Sequence, residues 1–342
     1  MLRALVSGLS SAGLQVLVPL DVRLFTPTAL AQFASQAQIL PVEQLQSADY
    51  LSAWRDVASK CVWSWLVAPE LDDTLRQVAS QLRTSGAQLL NASDDFLRVA
   101  SDKNACAQLW QPAGVPHPST RPLQAIDDEW LSESSLRMAM TQSLSGDHDM
   151  RWVVKRADGA GGEGLRMVDR RQLLQLKTSL AKVRDASPNS AESITWIVQP
   201  WLHGNAASCS AIVDVSGRPH WLPLVSQDFE PIASPSCSEA APVYLGCTYP
   251  APGIPQIVPE DLLHKTLTSL PGTPLGWISV DLLYDPLTEQ WWVIEINPRC
   301  TSSLIGLAAA YPGNLVYDIY QLQTGGSCDF SVLFEPLVFR LS

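Results

Sequence analysis

The chain has 342 residues, of which 46% are hydrophobic and 17% are charged, and its formal net charge is −11. This composition is typical of a globular protein with two or three domains and excludes a largely disordered chain. The acidic balance argues against nonspecific binding to nucleic acid or to anionic lipid, because both need a basic surface.

The cysteines and the N-terminal segment indicate the compartment. The seven cysteines include no CxxC pair, so we expect scattered thiols in a reducing cytoplasm rather than a disulfide framework or a structural zinc site. Ser, Gly and Gln interrupt the apolar N-terminal stretch, and we therefore predict a helix over 2–11 rather than a signal peptide. No apolar run approaches the roughly 20 residues that span a bilayer.

The first hundred residues alternate between strand-like and helical patterns, which predicts a parallel sheet with crossover helices. The predicted strands and helices, in chain order, are a strand at 14–20, helices around 27–37 and 50–59, a strand in CVWSWLVAPE, a helix from Leu71 that ends at Gly86, and a short strand in AQLLNAS. Such units usually begin with a strand, whereas this chain begins with a helix. A missing first strand or an upstream start would explain that order.

A glycine-rich stretch, WVVKRADGAGGEGLRMV (152–168), predicts two strands that flank a loop. Glycine lets the backbone approach a ligand closely, so that consecutive amides can bind phosphate oxygens, and Lys155 on the first strand adds a positive charge. The spacing fits neither a P-loop nor a dinucleotide fingerprint, and a flexible hairpin loop remains the alternative. The loop glycines are Gly159, Gly161, Gly162 and Gly164.

The stretch GWISVDLLYDPLTEQWWVIEINPR (276–299) predicts a hairpin whose turn is DPLTEQ. Folding it about Thr288 places Asp281 opposite Glu295 and brings Ser279 and Asn297 to the same faces. Because side chains alternate along a strand, two sets of residues should face opposite ways. Glu295, Asn297 and Arg299 share one face, and Ile294, Ile296 and Pro298 share the other.

Two facing carboxylates destabilise a sheet unless something neutralises them. Mg²⁺ (or Mn²⁺), bound by Asp281, Glu295 and substrate phosphates, would do so, with Asn297 as a neutral oxygen ligand. The alternative is a surface-exposed carboxylate pair, which four large apolar residues before Glu295 argue against. Arg299 would bind a carboxylate or a transferring phosphoryl group, or else form a structural ion pair.

Together these motifs resemble the ATP-grasp superfamily over nearly the whole chain. The resemblance implies an α/β (α+β) fold with a Rossmann-like pre-ATP-grasp domain at 1–100, a lid subdomain at 101–200 and a larger subdomain at 201–342. It also implies binding of ATP and Mg²⁺. The residues that carry the resemblance are Lys103 and Lys155 as ATP-contacting lysines, Gly159 to Gly164 as the phosphate loop, Gln199, Pro200, Trp201 and Leu202 as the adenine-clamping linker, and Asp281, Glu295 and Asn297 as metal ligands.

Within the superfamily, VAPELDDTL, SDKNACAQL and EINPRCTSSLIGL resemble carboxylate–amine ligases of one-carbon cofactor biosynthesis, in particular the tyramine–glutamate ligases of the methanofuran pathway. This implies amide formation between a small carboxylate such as glutamate and an amine such as tyramine, through an acylphosphate, with Lys155 and Arg299 as catalytic residues. Two positions depart from the common pattern. Ser279 stands where many members have an arginine on the γ-phosphate, and Ala206 stands where many have a ribose-binding glutamate.

The remaining substrate candidates are Thr301, Ser302, Tyr244, Gln227 and Glu70. Ordinary loop packing is the alternative for Tyr244 and Gln227, and helix capping is the alternative for Glu70. Two other functions remain open, namely an amino-acid or peptide ligase and an ATP-binding subunit without ligase activity. The expected partners are small-molecule carboxylates and amines, with neither nucleic acid nor membrane, and a homodimer is left open.

Overall fold

The computed structural model describes residues 1–41, 49–142, 151–162, 164–186, 194–230, 242–330 and 332–341. The helices are α1 (Leu2–Ser11), α2 (Pro27–Ala34), α3 (Asp49–Ala58), α4 (Thr74–Thr84), α5 (Asp94–Ala100), α6 (Lys103–Ala113), α7 (Asp128–Gln142), α8 (Arg170–Ala186), α9 (Glu260–Thr268), α10 (Ser303–Ala310) and α11 (Leu315–Gln323). Within these ranges, no helix has the length and apolar character needed to cross a membrane.

The strands in the described residues form four separate sheets. They are β1 (Leu17–Leu20), β2 (Gln38–Pro41), β3 (Arg121–Pro122), β4 (Trp152–Arg156), β5 (Arg166–Val168), β6 (Trp196–Pro200), β7 (Asn205–Val213), β8 (Pro219–Trp221), β9 (Val225–Ser226), β10 (Asp228–Phe229), β11 (Tyr244–Tyr249), β12 (Gly276–Asp285), β13 (Gln290–Asn297) and β14 (Leu337–Arg340).

The N-terminal part has less strand than the sequence predicts. β1 and β2 pair in parallel, but the predicted strands at 61–70 and 87–93 are reduced to one parallel bridge between Ser64 and Leu89. Beyond this bridge, a side chain makes the hydrogen bonds that a neighbouring strand would make. The Asn91 amide accepts from the Leu66 N–H and donates to the Leu66 carbonyl, both at 2.9 Å. The predicted helix from Leu71 is also interrupted, because a short 3₁₀ turn precedes α4.

The lid sheet has the strand order β3-β6-β4-β5 and matches the predicted strand–loop–strand–helix–strand pattern. Its apolar core contains Trp130 and Trp152, whose ring centroids lie 5.3 Å apart. The first residues of the predicted polar loop, 184–186, belong to α8 instead, which continues to Ala186. The rest of that predicted loop, 187–193, lies outside the described residues.

The large sheet has the order β13-β12-β7-β8, with β9 beside β7. Its register confirms the hairpin prediction, because Asp281 pairs with Glu295 and Ser279 pairs with Asn297. A bulge follows, since Leu282 pairs with Val293 and leaves Ile294 as an extra residue.

The bulge corrects the simple alternation predicted for β13. Ile294 lines the same cavity as Glu295, whereas Val293 and Ile296 are buried in the core beneath the sheet. An extra residue turns the strand locally, so that an apolar side chain and a carboxylate point to one side.

A third sheet, β10-β11-β14, joins the C-terminal strand to the middle of the chain. It packs on α10, where a Cβ added at Gly306 would lie 2.9 Å from the Cys247 sulfur. Part of the predicted Pro-rich loop region, 231–241, lies outside the described residues, and the part that follows it contains β11. The cysteines that the structure describes are free thiols.

Candidate active site

A cavity of about 1050 Å³ lies between the lid sheet and the large sheet, and it brings together most of the residues predicted from the sequence. Two predicted residues, Gly164 and Glu70, are not part of its lining. The predicted residues that line it are Lys103, Lys155, Gly159, Gly161, Gly162, Gln199, Pro200, Trp201, Leu202, Gln227, Tyr244, Asp281, Glu295, Asn297, Arg299, Thr301 and Ser302.

The two lysines approach the cavity from different elements. Lys103 begins α6, whose N-terminal amides are capped by Asp102, and its Nζ lies 3.2 Å from Glu295 Oε2 and donates to the Gly159 carbonyl. Lys155 lies on β4 and is buried. Burial lowers the pKa of Lys155 to about 8, although the charge of Glu295 opposes this shift. The lid and the large sheet therefore meet through opposite charges.

The pKa values of the two facing carboxylates are shifted in opposite directions. Burial, and then the nearby charge of Glu295, raise the pKa of Asp281 to about 7. Burial also disfavours ionised Glu295, but Lys103 and Lys155 outweigh this effect and lower its pKa. Asp281 accepts a 3.0 Å hydrogen bond from Asn297 Nδ2 and further bonds from Ser208 and Gln227.

This donor set suits a hard divalent cation. The Asp281 and Glu295 carboxylates face each other beside the Asn297 amide. Ionisation of Asp281 is unfavourable in this buried position, and a bound cation would make it favourable. The part of the chain that the structure describes has no group of three or more His, Cys, Asp or Glu side chains that could hold a metal. Ligand oxygens would therefore have to complete the coordination, as Mg²⁺ bound with substrate phosphates requires.

The glycine-rich loop needs its glycines for its backbone conformation. Gly161, Gly162 and Gly164 have positive φ angles of 63°, 78° and 70°, which residues other than glycine rarely adopt. Open space surrounds Gly161 and Gly162, whereas a Cβ on Gly164 would lie 3.3 Å from the Trp196 ring. Gly161 and Gly162 thus leave their backbone open to the cavity, and Gly164 packs on the lid.

The linker predicted at 199–202 begins within β6 and lines the cavity. Gln199 is buried, and its amide donates a 2.9 Å hydrogen bond to Thr120 Oγ1. This bond ties the linker to the segment before β3. Trp201 and His203 follow at the cavity wall with their rings edge to face, 6.5 Å apart.

Ser279 does not replace the missing arginine, because it belongs to a buried hydroxyl cluster. Its Oγ lies 2.9 Å from Ser210 Oγ and 3.0 Å from Thr301 Oγ1, and it accepts a 2.8 Å hydrogen bond from Trp277 Nε1. Thr301 continues the cluster to Ser303 at 2.7 Å. These bonds satisfy hydroxyls that would otherwise be costly to bury, and they fix Thr301 at the cavity wall.

Arg299 and Glu70 form a buried ion pair, which is the alternative role predicted for Arg299. Arg299 Nε lies 2.9 Å from both carboxylate oxygens of Glu70. Glu70 makes no capping hydrogen bond to the turn that follows it, so the capping alternative is wrong. Its partner lies 229 positions along the chain.

Part of the cavity lining is apolar, and most of these apolar residues were not predicted from the sequence. Tyr244 was predicted there, and burial raises its pKa to about 12, while a bond from Ser302 opposes this shift. Phe229 packs edge to face on Tyr244 at 5.6 Å. Alternation in β7 could have revealed Ser208, but no local pattern marks the other missed residues. Lining residues that the sequence analysis did not predict include Phe229, Glu230, Val243, Ile305 and Leu341.

These features define an α/β protein in which two sheets enclose a cleft lined by lysines, backbone amides and paired carboxylates. The chain belongs to the ATP-grasp family, because the ATP-grasp domain matches residues 100–303, more than half of its length. The pre ATP-grasp 3 domain matches residues 14–95. The predicted fold, ATP-grasp with an N-terminal pre-ATP-grasp domain, is therefore confirmed.

Solved structures resemble the whole chain. Biotin carboxylase from Campylobacter jejuni, complexed with β,γ-ATP, has a TM-score of 0.70 and 15% identity, covering 98% of this chain and 71% of its own. N5-carboxyaminoimidazole synthetase from Staphylococcus aureus, complexed with ADP, has a TM-score of 0.67 and 13% identity, covering 98% and 77%. At these identities the likeness shows the fold alone. A search of curated proteins returns no match.

Proposed function

We propose that this protein is an ATP-dependent carboxylate–amine ligase. The observation that carries the proposal is the pairing of Asp281 with Glu295 across two strands, in the cavity that also contains Lys103, Lys155 and the glycine-rich loop. Paired carboxylates that need a cation, beside lysines and free backbone amides, suit a nucleotide triphosphate with its metal.

The lysines and the loop would bind the phosphates. Lys103 and Lys155 supply positive charge for the α- and β-phosphates, and the loop amides bind the β- and γ-phosphates. Phosphoryl transfer depends mainly on positioning and charge neutralisation, which these groups provide. Asp281, Glu295 and Asn297 would hold Mg²⁺, which supplies charge neutralisation at the transferring phosphoryl group.

Arg299 would bind the substrate carboxylate and stabilise the acylphosphate. The carboxylate oxygen attacks the γ-phosphorus and ADP leaves; the amine then attacks the acyl carbon, phosphate leaves, and the amine loses a proton. Arg299 lines the cavity, and its guanidinium can donate to carboxylate and phosphoryl oxygens. The glycine-rich loop would cover the reacting groups and exclude water, which would hydrolyse the acylphosphate.

We propose glutamate as the carboxylate and tyramine as the amine. The apolar part of the cavity lining, where Phe229 and Tyr244 pack together, would accept an aromatic ring, and hydroxyls from Thr301 and Ser302 would bind polar groups. This choice places the protein in methanofuran biosynthesis in the cytoplasm. The domain limits at residues 100 and 200, and a homodimer, remain part of the proposal.

Two alternatives keep the same fold. An amino-acid or peptide ligase would use another amine in the same cavity. An ATP-binding subunit without ligase activity is suggested by Ser279 and Ala206, which replace groups that many members use. The presence of both lysines, both carboxylates and Arg299 in one cavity favours a ligase.

The first test is ADP release by the purified protein with Mg·ATP and glutamate, with and without tyramine, against other acids and amines. Release that needs both glutamate and tyramine supports the specific ligase. Activity with another pair supports the chemistry and rejects these substrates. ATP binding without release on any pair supports the nonenzymatic alternative.

A further inference from the structure

A short segment of the N-terminal part contacts both halves of the active site. We call residues 69–73, with the sequence PELDD, the brace segment. Glu70 contacts Arg299, which lines the cavity beside the large sheet. Asp72 contacts Arg156 and Asp158 at the base of the glycine-rich loop.

The Glu70 contact fixes one edge of the Arg299 guanidinium. Glu70 is only 4% exposed, and Arg299 Nε donates to its Oε2 at 2.9 Å. The other oxygen, Oε1, is buried and accepts no hydrogen bond among the described residues. Arg299 Nη1 also donates to the Cys300 carbonyl at 3.3 Å. A buried carboxylate with so few donors depends on this arginine, since losing one partner of a buried pair strongly destabilises the other.

The Asp72 contact fixes the base of the glycine-rich loop. The backbone N–H of Asp72 donates to Asp158 Oδ2 at 2.8 Å, and Asp158 immediately precedes Gly159. Arg156, at the end of β4, bonds to the side chains of both Asp72 and Asp158. The Asp72 side chain is 57% exposed, so its backbone bond and the half-buried Asp158 carry more of this contact than its own charge does.

The backbone of the brace segment has an uncommon conformation. Asp72 has φ 54° and ψ 32°, and Asp73 has φ 60° and ψ 17°. Two consecutive left-handed residues without glycine are unfavourable and persist only where surrounding contacts determine them. The contacts with Arg156 and Asp158 are such surroundings. They hold the segment in a shape that also presents Glu70 to Arg299.

We propose that the brace segment positions both halves of the active site, with Glu70 orienting Arg299 and Asp72 fixing the base of the glycine-rich loop. Its kinetic consequence rests on the ligase function proposed above. Glu70 and Asp72 are positioning residues, because they act through Arg299 and the loop rather than on the substrate.

The kinetic test compares Glu70→Gln with Asp158→Ala, which removes the acceptor of the hydrogen bond from the Asp72 N–H. We expect Glu70→Gln to lower kcat/KM for the carboxylate by about 10- to 100-fold, since small displacements of a positioned group have effects of that order, with little change in KM for ATP. Asp158→Ala should mainly raise KM for ATP. Asp94→Asn is the matched control, because it breaks the Arg83–Asp94 pair in the same part of the chain. Equal effects of all three variants would overturn the proposal.

A double-mutant cycle tests whether Glu70 acts through Arg299. If it does, Glu70→Gln should have little further effect in an Arg299→Lys background, because the two changes share one pathway. Additive effects of the two substitutions would overturn the positioning role.

A measurement without turnover separates this inference from the ligase proposal. The Nε–H resonance of Arg299, assigned by its loss in Arg299→Lys, should be protected from exchange in the wild type and lose protection in Glu70→Gln. If no substrate pair gives turnover, the ligase proposal fails, and the exchange protection of this resonance alone then tests whether Glu70 positions Arg299. Unchanged protection in folded Glu70→Gln, checked by its thermal unfolding, overturns the inference even in an active enzyme.

Discussion

The ionisation of Asp281 gives the sharpest test of the dicarboxylate site. The pKa of Asp281 is raised from 3.8 to about 7, first by burial and then by Glu295. At about 1.4 kcal/mol per pH unit, ionising this group in the metal-free folded protein costs about 4 kcal/mol more than ionising it in the unfolded chain. Because the folded-state pKa exceeds the unfolded value, this group favours folding at low pH. That contribution is lost as the pH rises through 7.

Two perturbations should lower the pKa of Asp281. Saturating Mg²⁺ should do so because a cation favours the ionised carboxylate. Glu295→Gln should also lower it, since that change removes the facing negative charge. The pKa of the variant should nevertheless remain above 3.8, because burial is the largest cause of the shift.

The assay is a pH titration of aspartate carboxyl carbons by NMR, with Asp281 assigned through Asp281→Asn. Asp214 is an internal control, because hydrogen bonds from Ser216 and His220 outweigh its burial and lower its pKa to about 2. A metal-free midpoint below pH 5 for Asp281 would refute the reasoning. So would a midpoint that neither Mg²⁺ nor Glu295→Gln changes.

Three further predictions concern the lysine and the glycines. Because the pKa of Lys155 is lowered to about 8, its ammonium should lose its proton above pH 8, and calorimetry should show the ATP affinity of the free protein falling there. Lys155→Arg should remove that pH dependence, and a wild-type affinity that does not change with pH would contradict the prediction. Gly162→Ala should raise KM for ATP several-fold in steady-state kinetics, whereas Gly86→Ala, at a similar positive φ in open space, should not; equal effects would reject the phosphate-loop role. Gly246→Ala would place a Cβ 2.0 Å from the Phe339 carbonyl oxygen, so it should lower the free energy of unfolding in urea by more than the ~1–2 kcal/mol expected from positive-φ strain alone. Gly217→Ala, which has that strain without the clash, is the control, and equal losses of stability in the two variants would show that the clash relaxes.

The site hairpin could be predicted from the sequence because its information is local. Asp285 accepts hydrogen bonds from the Leu287 N–H and the Thr288 hydroxyl, which fix the turn, and a fixed turn with alternating side chains sets the register. The bulge at Ile294 could not be predicted, because the sequence pattern does not show where an extra residue leaves the ladder.

Contacts between segments that are far apart in the chain could not be predicted from the sequence. Glu70 and Arg299 are 229 positions apart, and either residue alone is compatible with several roles. Leu341 reaches the cavity only because β14 pairs with β11. The segment at 61–70 has the composition of a strand, but the side chain of Asn91 takes the hydrogen bonds that a neighbouring strand would make. Propensity could not reveal that competition.

The turn of the site hairpin also offers a place to attach a spectroscopic probe. Leu287 is 77% exposed at its tip, and exposed loop tips tolerate change well. The bulge at Ile294 lies between this tip and the carboxylates. Cysteines that the structure describes are buried or half-buried, so a thiol introduced by Leu287→Cys would react with a maleimide dye ahead of them. Energy transfer from a dye at this position to a second label on α8 would report any movement of the lid sheet relative to the site hairpin. Neither label would contact the reacting groups.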